Sequence, residues 1–214
     1  MRFIKRIQYN SPLILTFALV AFAAAGVCTL WPDRGHFFFS VYKTSFLDPF
    51  FYMRLFTHVL GHTDLSHYFS NFLIILLVGP MLEEKYGSKK LLILMAVTAL
   101  LTGIIYAAVS PAGYALLGAS GVAFMMMVLC SFANYQKGRV PITLILIIAL
   151  YIGREIMQSA AATDNISHMT HIIGGLLGAG LGYWINREGL AKKAPGKAEA
   201  GPEEYGDDNN NPDE

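Results

Sequence analysis

The sequence predicts an all-α integral membrane protein: a bundle of six transmembrane helices with an interfacial outer loop between the first two. Three observations carry this. Of 214 residues, 54% are hydrophobic and only 14% charged, where a soluble domain would carry roughly a quarter charged. Mean hydropathy is +0.45, and the apolar residues lie in continuous blocks instead of amphipathic stripes. Lysine and arginine, finally, are distributed unevenly between alternate connections, which fixes one orientation.

The first block, Pro12–Trp31, follows a basic start at Arg2, Lys5 and Arg6. Its apolar run is longer than the core of a secretory signal, and Ala23-Ala24-Ala25 lies mid-run without a polar flank. An uncleaved span is therefore expected, with no soluble domain ahead of it. From Pro32 to Gly61 the chain carries nine Phe and Tyr residues between Phe37 and Phe56. A loop in water would not hold them, so short amphipathic helices partly sunk in lipid are predicted there. The other five blocks run Tyr68–Leu82, Leu91–Val109, Ala119–Tyr135, Ile142–Met157 and Met169–Ile185. The second, fourth and fifth of the six blocks are short for a hydrocarbon core of ~30 Å at ~1.5 Å per residue. After Glu188 the sequence turns polar and acidic. This divides the chain into a membrane domain, 1–187, and a disordered cytoplasmic tail, 188–214.

With the N-terminus inside, 12 of the 16 Lys and Arg fall on the inner side, leaving Arg34, Lys43, Arg54 and Arg154 outside. Both termini are thus expected in the cytoplasm, and the protein in a cell membrane, of bacterial inner or plasma type. A net charge of +1 gives no basis for nucleic-acid binding. Cys28 and Cys130 both fall within blocks, so neither a disulfide framework nor a zinc site is indicated. No internal repeat is evident, which weakens a transporter reading.

Polar residues at membrane depth are functional candidates. His67 and Asn71 open the second span four residues apart, on one side of a helix. Ser120 opens the fourth, in the quartet Gly118-Ala119-Ser120-Gly121, and His171 starts the sixth. All three spans descend from the same face, so these groups share a depth. Singly, each has a plainer role: Ser120 as cap or packing residue, the others as interhelical hydrogen bonds. Together they are a nucleophile and a base. A serine needs an adjacent base to take its proton, and histidine has a suitable pKa. Gly174, Gly178 and Gly182 form a row along the sixth span that lets a neighbouring backbone approach. The Ser120 amide lies in a first helical turn without an intrahelical partner. With His67 and Asn71 it can serve a developing oxyanion. Asp164, the nearest upstream carboxylate, lies in a loop, so a dyad is expected.

These pieces resemble the rhomboid family of intramembrane serine proteases, with its bacterial-type six-helix core. The likeness rests on "RLFTHVLGHTDLSHYFSNFL", "GPMLEEKYGS", Gly118-Ala119-Ser120-Gly121 and "HIIGGLLGAGLG", in the family's order from Arg54 to Tyr183. It implies Ser120 as nucleophile, His171 as general base, and His67, Asn71 and the Ser120 backbone N–H as oxyanion donors. It also implies structural roles for Arg54 and Glu83, and a position for Phe124 where relatives often pack tyrosine on the catalytic imidazole. Thr170 stands where relatives often have alanine, and Met53 where many have tryptophan; neither change removes a reacting group. His168 lacks the following Gly-Gly. The expected substrates are single-pass membrane proteins cut in or beside their spans, within the lipid bilayer, without cofactor or metal. The aromatic loop and fifth span are lateral-gate candidates by the same resemblance.

Two rivals stand beside this reading. A metal enzyme would draw on His58, His62 and His67, but there is no His-Glu-x-x-His, and loop capping or interface residence accounts for the first two. A catalytically silent rhomboid-like chaperone or adaptor is the other; such relatives typically lack the serine or histidine, and both are present here.

Overall fold

The computed structural model describes residues 9–132, 139–140, 142–159 and 166–191. Six long helices occupy the six apolar blocks: α1 (Pro12–Leu30), α4 (Leu65–Tyr86), α5 (Ser88–Val109), α6 (Ser120–Ser131), α7 (Ile142–Ser159) and α8 (Ile166–Ala191). Of the described helices, α1, α4 and α5 are long and apolar enough to cross a membrane, and α6 and the stretch His171–Ile185 of α8 are shorter apolar segments. The polar tail and Asp164 lie outside the described residues, as do the side chains of His168 and Thr170.

The aromatic loop contains two short helices, α2 (Pro32–Phe39) and α3 (Pro49–Thr57). A two-residue strand between them, β1 (Val41–Tyr42), pairs antiparallel with β2 (Ala115–Leu116), Val41 opposite Leu116 and Tyr42 opposite Ala115. That ladder was not foreseen. It fastens the loop to the segment leading into α6.

Three helix lengths differ most from expectation. One, α8, at 26 residues, runs past both ends of Met169–Ile185. At 22 residues α4 measures about 33 Å and is not short. The Asp64 side chain accepts from the His67 N–H at 2.8 Å and starts it three residues early, and Gly87, at φ +82°, ends it. Conversely, α6 has 12 residues, about 18 Å. Its end tightens as the Phe132 N–H reaches the Leu129 carbonyl at 3.0 Å.

The core gathers around α6. Val122, Met125, Met126 and Leu129 are fully buried against Ile14 and Ala21 of α1, Phe72 and Ile75 of α4, and Leu91 and Ala99 of α5. With lipid outside, leaving the bilayer brings these side chains no hydrophobic gain, and close packing holds the helices together. Leu19, Leu73, Leu77 and Ile93, on the opposite faces of α1, α4 and α5, are exposed. This inside-out pattern suits a lipid surround.

Glu83 joins three helices near one end of the bundle. Its carboxylate accepts the Leu13 and Ile14 amides at 3.0 and 3.1 Å and the Ser88 hydroxyl at 2.6 Å. It thereby satisfies first-turn donors of α1. Tyr68 makes a second α1–α4 link, its hydroxyl donating to the Ala18 carbonyl at 3.0 Å.

Candidate active site

Ser120 is half-buried and is the first residue of α6. Two hydrogen bonds hold the backbone just before it. The Gly118 N–H donates to the His58 carbonyl at 2.9 Å, and the Ala119 N–H to His62 Nε2 at 3.4 Å. Gly118 has φ +131°, a conformation side chains disfavour. No side chain caps α6, so its first amides, that of Ser120 among them, have no partner within the helix.

His58 and His62 do more than loop capping or interface residence would have them do. Both are buried, at 1% and 0% exposure. His58 Nδ1 donates to the Arg54 carbonyl at 3.2 Å, and its Nε2 lies 3.4 Å from the Thr102 hydroxyl. His62 Nδ1 is 3.1 Å from the Leu60 carbonyl, so the proton sits there and Nε2 is left to accept from Ala119. Burial, which penalises the charged form, pushes each pKa down to about 4; for His62 the nearby His67 adds to the effect. Both imidazoles are neutral at pH 7, as an acceptor Nε2 requires. The sequence did carry a signal: three histidines fall within ten residues, His58 to His67, of an aromatic stretch.

The first two turns of α4 face this segment. His67 is half-buried, its ring edge-on to His62 at 5.0 Å. A methyl on Gly118 would lie 2.9 Å from His67 Nε2 and 3.7 Å from Asn71 Nδ2. The missing side chain of Gly118 is therefore the space into which both groups point. Asn71 is buried, and among the described residues its Nδ2 has no hydrogen-bond partner. A stranded buried donor costs about 1–3 kcal/mol. The Thr63 hydroxyl donates to the Asp64 carboxylate at 2.8 Å, so a bond from the same oxygen to His67 Nδ1, 3.3 Å away, needs the proton on Nδ1.

On the other side, α8 lies against α6 backbone to backbone. A Cβ at Gly174 would come within 2.3 Å of the Gly121 carbonyl oxygen, and one at Gly178 within 2.6 Å of the Met125 oxygen. A Cβ at Gly182 would meet the Phe132 ring at 2.9 Å. The row of small residues thus packs α8 on α6, as sequence spacing anticipated. Gly121 directly follows Ser120, and Gly174 follows His171 by three residues, on the same helix face. The half-buried His171 and Ser120 accordingly flank one point of contact. Phe124, 5% exposed, fills the notch left by Gly175, where a Cβ would stand 2.3 Å from its ring.

Arg54 supports the far side of the β ladder. It is fully buried, paired with Asp48, and its guanidinium lies 4.4 Å from the Tyr42 ring centre and 5.3 Å from that of Phe37. Charge pairing and cation–π contact offset part of its desolvation, while Nε and Nη1 have no hydrogen-bond partner among the described residues. Among the described residues, no group of three or more His, Cys, Asp or Glu is arranged to hold a metal ion.

A family model described as "Rhomboid domain" matches residues 49–188. No curated protein matches the chain.

Proposed function

Since the chain belongs to the rhomboid family, whose members are mostly intramembrane serine proteases, we propose that it is an intramembrane serine endopeptidase using Ser120 and His171. His171 takes the Ser120 Oγ proton as the oxygen attacks a peptide carbonyl, and later returns it to the leaving amine. The oxyanion meets Asn71 Nδ2, the Ser120 N–H and His67, the last when its Nε2 carries the proton. A water then hydrolyses the acyl-enzyme. No carboxylate is assigned to His171, so the pair acts as a dyad.

The observation that carries this reading is Asn71 Nδ2, a buried donor without a partner beside Gly118, two residues before the serine. Arg54 and Ser110 also bury unpaired polar atoms, but of these groups it is Asn71 that points at the Gly118 position, where a transient anion would use its free N–H. The substrates in this reading are single-pass membrane proteins entering from the bilayer. The six long helices are read as six spans, with both termini cytoplasmic and the site open to the outer face.

The test is cleavage of a single-pass substrate in proteoliposomes by wild type, Ser120→Ala and His171→Ala. Loss of cleavage in both folded variants is expected, and retention in either removes the dyad. Asn71→Ala should lower kcat by about 10²–10³; an unchanged rate removes Asn71 from the mechanism. A wild type that binds the substrate without cutting it would instead favour the silent adaptor. A reporter fused after Gly189 should read cytoplasmic.

A further inference from the structure

Two cavities, one apolar and one of mixed lining, meet at Lys43, away from the serine. One, of about 440 Å³, runs along the last two turns of α5, with Phe51, Tyr52 and Leu55 facing Ile104, Ala107 and Ala108. Its lining is almost wholly carbon. The other, of about 400 Å³, lies past the C-terminal end of α5, between α2 and the Gly113–Ala115 turn, and is lined in part by Asp33, His36 and Tyr114. Lys43 lines both. Each is within the ~300–1,000 Å³ of small-molecule sites.

The apolar walls are set in place before any ligand arrives. The Tyr52 hydroxyl donates to the Phe46 carbonyl at 3.2 Å, and the Phe46 ring stands edge-on to Phe51 at 5.5 Å. In the mixed cavity the charged side chains lack ion-pair partners. Among the described residues the one ion pair is Arg54 with Asp48, so Lys43 and Asp33, both exposed, have no opposite charge of their own.

We infer that a phosphatidylethanolamine molecule occupies this pair of cavities, one acyl chain along α5, its phosphate on Lys43 and its ammonium on Asp33. The arrangement follows the molecule's own order. The tail lies along an apolar helix and the headgroup just beyond its end, with the phosphate at the junction. One cation and one anion match a zwitterion. A primary ammonium can donate hydrogen bonds to a carboxylate, whereas a choline cannot, and a glycerol headgroup brings no positive charge to Asp33. Lys43 follows Tyr42 of β1, which pairs with β2 on the way to Ser120, so the bound lipid braces that ladder from the β1 side. The inference does not rest on peptide cleavage.

The experiment uses the full chain, purified from mixed micelles with equal amounts of phosphatidylethanolamine, phosphatidylcholine and phosphatidylglycerol, and counts retained lipids by native mass spectrometry. Phosphatidylethanolamine should be retained above both others. Lys43→Glu should reduce its retention at least about fivefold, the worth of one lysine near a lipid phosphate. Asp33→Asn should abolish the preference over phosphatidylglycerol. Both side chains are exposed, so these variants keep the fold. Ala107→Trp, filling the groove, should lose all three lipids. Equal retention of the three lipids by wild type overturns the inference, as does unaltered retention in Lys43→Glu. So does an Ala107→Trp variant that keeps its lipid but no longer crosslinks to a transmembrane peptide, which would make the groove a peptide seat.

Discussion

Replacing Gly174 with alanine places a methyl carbon 2.3 Å from the Gly121 carbonyl oxygen and 3.1 Å from its carbon. Both are backbone atoms in a helix and cannot swing aside. Real Cβ atoms essentially never come closer than 3.0 Å, so α8 must withdraw from α6 by at least about 0.7 Å, or rotate to the same effect. Overpacking of this kind costs about 1–3 kcal/mol. If the proposed dyad acts, the catalytic cost should be larger, because the contact adjoins both Ser120 and the first turn after His171. Misplacement by ~1 Å can cost about 10²-fold, so a fall in kcat of roughly 10- to 100-fold is expected in protein that remains folded. Gly180→Ala is the control. It lies on the same helix, among the described residues nothing is within 4 Å of its added Cβ, and alanine improves helix propensity by about 1 kcal/mol. Both variants are assayed in proteoliposomes, with thermal unfolding in detergent to score the fold. A Gly174→Ala enzyme cleaving within twofold of wild type would refute the reasoning, as would an equal loss in Gly180→Ala.

Two further outcomes follow from groups outside the reacting centre. Glu83→Ala removes an anionic acceptor from two α1 amides and a hydroxyl; at about 1.5–3 kcal/mol per charged hydrogen bond, discounted for water reaching that end, a loss of about 2–4 kcal/mol is expected. It should appear as a lower unfolding temperature with kcat per folded molecule little changed; a normal melting curve with lost activity would contradict it. His58 and His62 have folded pKa values of about 4 against about 6.5 unfolded. The unfolded chain therefore binds more protons between those values, and stability falls as pH drops from 6.5 towards 4, by roughly 3 kcal/mol for the fully enclosed His58. Above pH 6.5 neither contributes a slope. Denaturant unfolding followed from pH 7.5 to 4.5 checks this, and a flat profile would show that the histidines reach water.

Much of this architecture was legible because a bilayer demands continuous apolar runs, and all six runs became helices. Their ends were harder to read. The polar first turn of α4 and its closing Glu83-Glu84-Lys85 hide from a hydropathy window, although Asp64 and Gly87 are ordinary start and stop signals. The β1–β2 pairing left no trace, since two residues per strand carry no periodicity. His58 and His62 were read as loop residues because sequence shows neighbours along the chain, not the Gly118–Ala119 backbone brought against them from sixty residues away. Gly174 and its row were legible for the opposite reason: their spacing is a property of one helix.

The shortness of α6 has a mechanical consequence. Nine of its twelve residues are buried and the other three half-buried, so it has no outward face at all. Changes in bilayer thickness press on outward-facing helices such as α1, α4 and α5, which must tilt to match. The post carrying Ser120 feels no such pressure directly. A thicker or thinner membrane therefore registers as slippage between rim and post, and its first reading is the distance from Asn71 on the rim to Ser120 on the post.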